Sequence, residues 1–83
     1  MPAWRLAWSF AAEVGLRAIP WRDAARIDAA VMRFAATGKG DFERIRNDPT
    51  GAWLYVDCYK VRLILDRRDR VISVLYLWRM EKS

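Results

Sequence analysis

The chain has 83 residues, the size of one small domain, and we predict a single domain over residues 1–83. Hydrophobic residues make up 54% of it and five residues are tryptophan, a composition that excludes intrinsic disorder. No apolar run reaches the roughly 20 residues of a membrane span, and the lone Cys58 excludes an internal disulfide. These features predict a cytoplasmic protein that does not associate with a membrane. The formal charge of +5 favours a polyanionic partner, either nucleic acid or an acidic protein.

The chain opens with large apolar side chains at alternate positions. Trp4, Leu6, Trp8 and Phe10 occupy every second position, which predicts a short strand with one aromatic face. We expect Trp4, Trp8 and Phe10 to lie in the core, because the helices that follow need an apolar surface to pack on.

Two helices are predicted next, since eleven of the twelve alanines precede Lys39. Ser9 can cap the first helix, which runs through Ile19 and stops at Pro20. The second helix covers about residues 21–36 and ends at Gly38. Its apolar stripe is formed by Ala24, Ile27, Val31 and Phe34.

The segment "TGKGDFERIRNDPTG", residues 37–51, is rich in turn residues and is predicted to be a loop. Three strands follow, over residues 53–59, 60–66 and 70–78, the last two joined by a charged hairpin connection. The order is β-α-α-β-β-β. This order predicts an α+β domain with two N-terminal helices on one face of a small antiparallel sheet, whose other face is open.

The middle strand has one apolar and one cationic face. Its odd positions from Tyr59 to Leu65 are apolar, whereas the even positions include Lys60 and Arg62. Strand parity predicts five further residues on the open face: Trp53, Tyr55, Leu75, Leu77 and Arg79. Cations bind phosphates and aromatic rings stack on bases, so this face suits single-stranded nucleic acid. A protein partner, or charges that merely keep the face soluble, would also explain the pattern.

Most familiar catalytic groups are missing from the sequence. It has no histidine, no metal-ligand spacing and no phosphate-binding loop, because "GKGD" lacks the strand before it and the Lys-Ser/Thr after it. We therefore predict no metal and no cofactor. Cys58 has no histidine to activate it and is interpreted as a small hydrophobe. Any catalysis would use Arg, Lys, Asp, Glu or Tyr side chains.

Three segments together resemble the RelE/ParE superfamily of toxin–antitoxin toxins. "WRLAWSFAAEVGLRAIP" is similar to its opening strand and first helix, and "GKGDFERI" to its link into the sheet. "WLYVDCYKVRLILDRRDRVISVLYLWR" resembles its sheet, with a basic residue after Tyr59 and another, Arg79, closing the last strand. The resemblance covers nearly the whole chain.

The resemblance implies either ribosome-dependent mRNA cleavage or poisoning of DNA gyrase. Cleavage in RelE-like toxins uses cations that promote attack of the RNA 2′-hydroxyl on the adjacent phosphate. By position, Lys60 and Arg79 would be such cations; strand parity adds Arg62, and Tyr55 is a stacking group or proton carrier. The residues proposed to bind nucleic acid or a partner are Trp53, Trp78, Arg44 and Arg46. The implied partners are a cognate antitoxin and the ribosome with its mRNA, or gyrase; a homodimer is left open.

The chain also departs from the family pattern. Trp53 and Tyr55 stand where active relatives often carry basic residues, Trp78 stands where many have histidine, and Asp57 adds a negative charge near the proposed phosphate site. The alternative is therefore a non-catalytic binding module on the same fold. A third interpretation is a plain nucleic-acid-binding domain with no toxin role.

Overall fold

Seven elements follow one another in residues 4–80, the part of the chain that the computed structural model describes. They are β1 (Arg5–Trp8), α1 (Phe10–Arg17), α2 (Trp21–Thr37), β2 (Phe42–Arg44), β3 (Gly51–Val56), β4 (Tyr59–Asp66) and β5 (Val71–Arg79). One five-stranded sheet has the order β1-β5-β4-β3-β2. The α+β class is as predicted. However, β2 lies inside the segment predicted to be a loop, and the turn between β3 and β4 falls at Asp57 and Cys58, inside a predicted strand.

The sheet is mixed, so the prediction of a purely antiparallel sheet is wrong. β1 runs parallel to β5, with Arg5 opposite Val71 and Trp8 opposite Val74, and the other three pairings are antiparallel. Parallel neighbours need a long crossover connection. Here both helices and three strands separate β1 from β5, and alternation within each strand gives no signal for this pairing.

The residues predicted to begin α1 and to end α2 are confirmed. The Ser9 hydroxyl accepts a hydrogen bond from the Ala12 amide at 3.0 Å and caps α1. α2 ends at Gly38, whose positive φ of 73° suits glycine and whose N–H donates to the Phe34 carbonyl. Within residues 4–80, neither helix is long and apolar enough to cross a membrane.

The core lies between α2 and one face of the sheet. Ile27 and Val31 from α2 are fully buried, together with the odd-numbered side chains that run along β4 from Tyr59. Trp4 and Trp8 pack against this core and are partly buried. Phe10 does not: it begins α1 and is 79% exposed, so its predicted core position is wrong, because the strand ends before it.

A β-bulge interrupts the pairing of β4 with β5. Arg62 lies opposite Tyr76, whereas the next residue, Leu63, lies opposite Val74, so Leu75 is an extra residue in β5. Ser9 satisfies the backbone here: its amide donates to the Val74 carbonyl at 2.9 Å, and its hydroxyl donates to the Leu75 carbonyl. A bulge moves every later side chain of the strand to the opposite face of the sheet.

Candidate functional site on the open sheet face

The sheet face away from the helices carries two rows of large polar and aromatic side chains. Strand register aligns both rows across β3, β4 and β5. The first row is Trp53, Arg62 and Tyr76, and the second is Tyr55, Lys60 and Trp78. Five of the residues predicted for the site therefore lie together on one surface.

The bulge removes Arg79 from this surface. Arg79 lies opposite Tyr59, and Leu77 lies opposite the fully buried Val61, so both belong to the helix side of the sheet. The predicted positions of Leu77 and Arg79 on the open face are wrong, because simple alternation along β5 fails after Leu75. The same shift brings Tyr76 and Trp78 to the open face.

Lys60 and the aromatic rings form the accessible part of the face. The Lys60 ammonium lies 4.4 Å from the centroid of the Trp53 ring, a cation–π contact. Trp53 and Tyr76 meet edge to face, with centroids 5.9 Å apart. Trp78 is 59% exposed and Tyr76 is 39% exposed. Together they present a cation beside flat apolar surfaces, which suits both phosphate contact and base stacking.

Arg62 is held by an internal carboxylate. Its Nη2 donates to Asp48 Oδ2 at 2.8 Å and its Nη1 donates to the Leu63 carbonyl at 3.0 Å, leaving the side chain only 16% exposed. The guanidinium holds the pKa of Asp48 below its usual range, helped by hydrogen bonds from Thr50. Arg62 therefore presents no free fork of donors, and the carboxylate of Asp48 offsets its charge.

Glycine at position 51 makes room for this ion pair. A Cβ at Gly51 would lie 2.5 Å from both Arg62 Nη1 and Asp48 Oδ2, far inside van der Waals contact. Asp48 is itself fixed by the turn before β3, where its Oδ1 accepts from the Thr50 and Gly51 amides at 3.1 Å. The turn, the glycine and the arginine thus form one local unit.

Tyr55 is a proton donor rather than a base at neutral pH. Burial raises the pKa of its phenol, and the carboxylates of Glu43 and Asp41 raise it further. The protonated hydroxyl can donate a hydrogen bond or a proton to an anionic oxygen. Tyr55 lies directly opposite Lys60 in the strand register, so both side chains can contact one phosphate group of a ligand.

A second polar set lies on the helix side. The buried Tyr59 donates its hydroxyl to Asp23 Oδ2 at 2.7 Å, and this bond raises the pKa of the tyrosine. Arg26 of α2 pairs with Asp57 at 3.0 Å on the surface. Asp57 is thus paired with an arginine of α2. These contacts attach α2 to the turn between β3 and β4.

Arg44 and Arg46 do not join the two rows. Arg44 lies opposite Ala52, which is fully buried under the helices, so Arg44 belongs to the helix side. Arg46 lies beyond the end of β2 in an exposed turn. Their predicted role in binding nucleic acid or a partner would therefore involve a surface other than the open face.

Sequence reasoning missed Tyr76 and Asp48. Tyr76 could have been found as the partner of Trp78 two residues later, since alternate aromatics share a strand face. No local sequence pattern predicts the ion pair between Asp48 and Arg62, because the two residues are fourteen positions apart. Among residues 4–80, no group of three His, Cys, Asp or Glu side chains is placed to hold a metal ion.

No protein-family model and no curated protein matches this chain. Solved structures do match it. The archaeal RelE-RelB complex from Pyrococcus horikoshii OT3 aligns with a TM-score of 0.84 at 15% identity, covering 99% of this chain and 100% of the other. The isolated E. coli RelE toxin gives 0.79 at 13% identity, covering 98% and 88%. The RelBE2 complex from Mycobacterium tuberculosis gives 0.67 at 18%, covering 94% and 99%. The chain therefore has the RelE toxin fold.

Proposed function

We propose that this protein, built on the RelE toxin fold, is the toxin of a type II toxin–antitoxin pair and cleaves mRNA bound to the ribosome. The observation that supports this most is the row of Tyr55, Lys60 and Trp78 on the open face. It sets a proton donor, a cation and an exposed ring side by side. The cation can stabilise a phosphate transition state, the donor can protonate a leaving oxygen, and the ring can stack a base of a single-stranded RNA.

In the proposed reaction the RNA 2′-oxygen attacks the adjacent phosphorus and the bond from phosphorus to the 5′-oxygen breaks. The products are a 2′,3′-cyclic phosphate and a 5′-hydroxyl. Lys60 stabilises the negative charge that grows on the phosphate oxygens. Tyr55 donates its proton to the leaving 5′-oxygen and regains one from solvent, while solvent accepts the 2′-hydroxyl proton.

The aromatic side chains hold the RNA in this proposal. A base stacked on Trp78 or Tyr76 gains about 1–3 kcal/mol and fixes the adjacent phosphate near Lys60. Arg62 is paired with Asp48 and lies beside Trp53, with its guanidinium carbon 5.8 Å from the ring centroid. Arg79 lies on the other face, so we assign it no part in cleavage.

An antitoxin is the proposed partner, because three of the matched structures are RelE-RelB or RelBE2 complexes of a toxin with its antitoxin. The exposed rings of Tyr76 and Trp78 form an apolar patch that a partner chain could cover. Cytoplasmic localisation is part of the same proposal, since ribosomes and mRNA are there.

Purified protein incubated with ribosomes carrying an mRNA tests the cleavage step. We expect cuts inside the translated frame, and removal of one transition-state cation by Lys60→Ala to slow them about 10²–10³-fold. Lys39→Ala is the matched control, because Lys39 is an exposed lysine at the end of α2 that should leave the rate unchanged. Intact mRNA with wild-type protein would remove the nuclease proposal.

A non-catalytic binding module is the second candidate, and the state of Arg62 favours it. With Arg62 paired and Arg79 on the helix side, Lys60 is the one cation of the two rows that no carboxylate in residues 4–80 neutralises. Such a module would bind gyrase or another protein through its aromatic face. In that case the Trp78→Ala variant should no longer arrest growth of the expressing bacterium, whereas the Lys60→Ala variant should still arrest it. The mRNA should remain uncut with either protein and with wild type.

A further inference from the structure

A cleft separate from the open face lies on the helix side of the sheet. It runs between the C-terminal end of α2 and the ends of β4 and β2, with a volume of about 160 Å³. Its walls are apolar and come from Trp4, Phe34, Phe42, Leu65 and Ile72. An apolar cavity of about 150 Å³ holds a benzene ring. This cleft is therefore large enough for one leucine or phenylalanine side chain.

The C-terminal end of α2 forms one wall of the cleft. Gly38 turns the chain away at φ 73°, and the returning β2 strand brings Phe42 to 4.9 Å from Phe34, measured between ring centroids. Phe42 is nevertheless 39% exposed, so the rim of the cleft is apolar and in contact with water. Burying that rim against a partner side chain would be favourable.

Two arginines stand at the mouth of the cleft. Arg44 and Arg67 line it, and both also line the adjoining groove beside Asp48. Neither forms an ion pair with any carboxylate in residues 4–80, since the nearby Asp48 is held by Arg62. An occupant of the cleft thus meets two guanidinium groups that form no ion pair within residues 4–80, beside apolar walls.

We propose that this cleft binds an acidic segment of a partner protein, inserting one large apolar side chain and pairing its carboxylates with Arg44 and Arg67. Charge complementarity selects the carboxylates, because the protein carries +5 overall. The apolar walls select a hydrocarbon side chain over a nucleobase, because buried base edges would lack hydrogen-bond partners there. The proposal goes beyond RNA cleavage, since Arg44 and the open face lie on opposite sides of the sheet.

A synthetic peptide with one leucine flanked by glutamates tests this proposal with the full chain. In an NMR titration we expect a dissociation constant on the order of 1 mM, since a single anchor must offset the entropy of binding. The shifted amides should cluster around Phe34, Phe42 and Leu65. Replacing the leucine by alanine, or the glutamates by glutamine, should weaken binding about tenfold.

Arginine variants separate the cleft from general electrostatic attraction. Arg44→Gln and Arg67→Gln should each weaken peptide binding about tenfold. The exposed Arg68 and Arg70 do not line the cleft, so Arg68→Gln and Arg70→Gln, which remove the same charge nearby, should change it less than about twofold. Equal losses in all four variants, or no amide shifts around the cleft, would overturn the proposal. So would an oligonucleotide that shifts the cleft amides when the peptide does not. These outcomes are independent of whether mRNA is cleaved.

Discussion

Replacing Gly15 in α1 tests the bulge that decides which side chains reach the open face. A Cβ at Gly15 would lie 3.1 Å from Leu77 Cγ and 3.3 Å from its Cδ2, because the bulge places Leu77 beneath the helix. Gly15→Ala raises helix propensity by about 0.8–1.0 kcal/mol. Crowding of a packed core by a methyl group costs about 1–3 kcal/mol. The net effect should lie between neutral and about 2 kcal/mol destabilising.

The same substitution in a Leu77→Ala background should behave differently. With the leucine truncated the crowding disappears, so Gly15→Ala should stabilise the protein by up to about 1 kcal/mol. Urea unfolding of the four proteins gives the coupling free energy, which we expect to be about 1–3 kcal/mol. If Gly15→Ala stabilises both backgrounds equally, Leu77 is not under α1. The assignment of Trp78 to the open face and Arg79 to the helix side would then fail.

Three further predictions rest on the strand register of Arg79, the Arg62–Asp48 ion pair and the hydrogen bond of Tyr59. Arg79→Ala should leave the rate of mRNA cleavage within about threefold of wild type, in contrast to the 10²–10³-fold loss expected of Lys60→Ala, as measured by primer extension on ribosome-bound mRNA. Asp48→Asn should release Arg62 and tighten binding of a single-stranded oligonucleotide, with a steeper salt dependence in fluorescence anisotropy; unchanged affinity and slope would contradict this. Tyr59→Phe should make the free energy of unfolding depend less on pH in the alkaline range. The raised pKa of Tyr59 means that its contribution is complete below about pH 10 and is lost as pH rises further, so urea titrations at pH 9 and 11 should differ less in the variant.

Much of the fold follows from local patterns in the sequence. Ser9 and Gly38 delimit the helices through a side-chain cap and a left-handed residue, both of which act within a few positions. The apolar positions of β4 from Tyr59 to Leu65 are all buried, as period-two alternation predicts. Signals of this kind depend on near neighbours, so one sequence suffices to find them.

The errors arise where distant segments decide the structure. The parallel pairing of β1 with β5 joins residues some sixty-six positions apart, and the bulge at Leu75 depends on Ser9 supplying partners for its backbone. A one-residue bulge has no compositional signal, yet it exchanges the faces of Trp78 and Arg79. The open face was therefore predictable in its β3 and β4 parts. In β5 the predicted Trp78 lies on the open face, whereas the predicted positions of Leu77 and Arg79 on that face are wrong.

Mapping new mRNA 5′ ends in a bacterium that expresses this protein without an antitoxin tests the central claim most directly. Growth should arrest, with cuts confined to translated frames, and Lys60→Ala should abolish both effects while Arg79→Ala preserves them. Arrest without cuts would show that the open face binds a target such as gyrase rather than cleaving RNA. Cuts that depend on Arg79 but not on Lys60 would contradict the assignment of the active face itself.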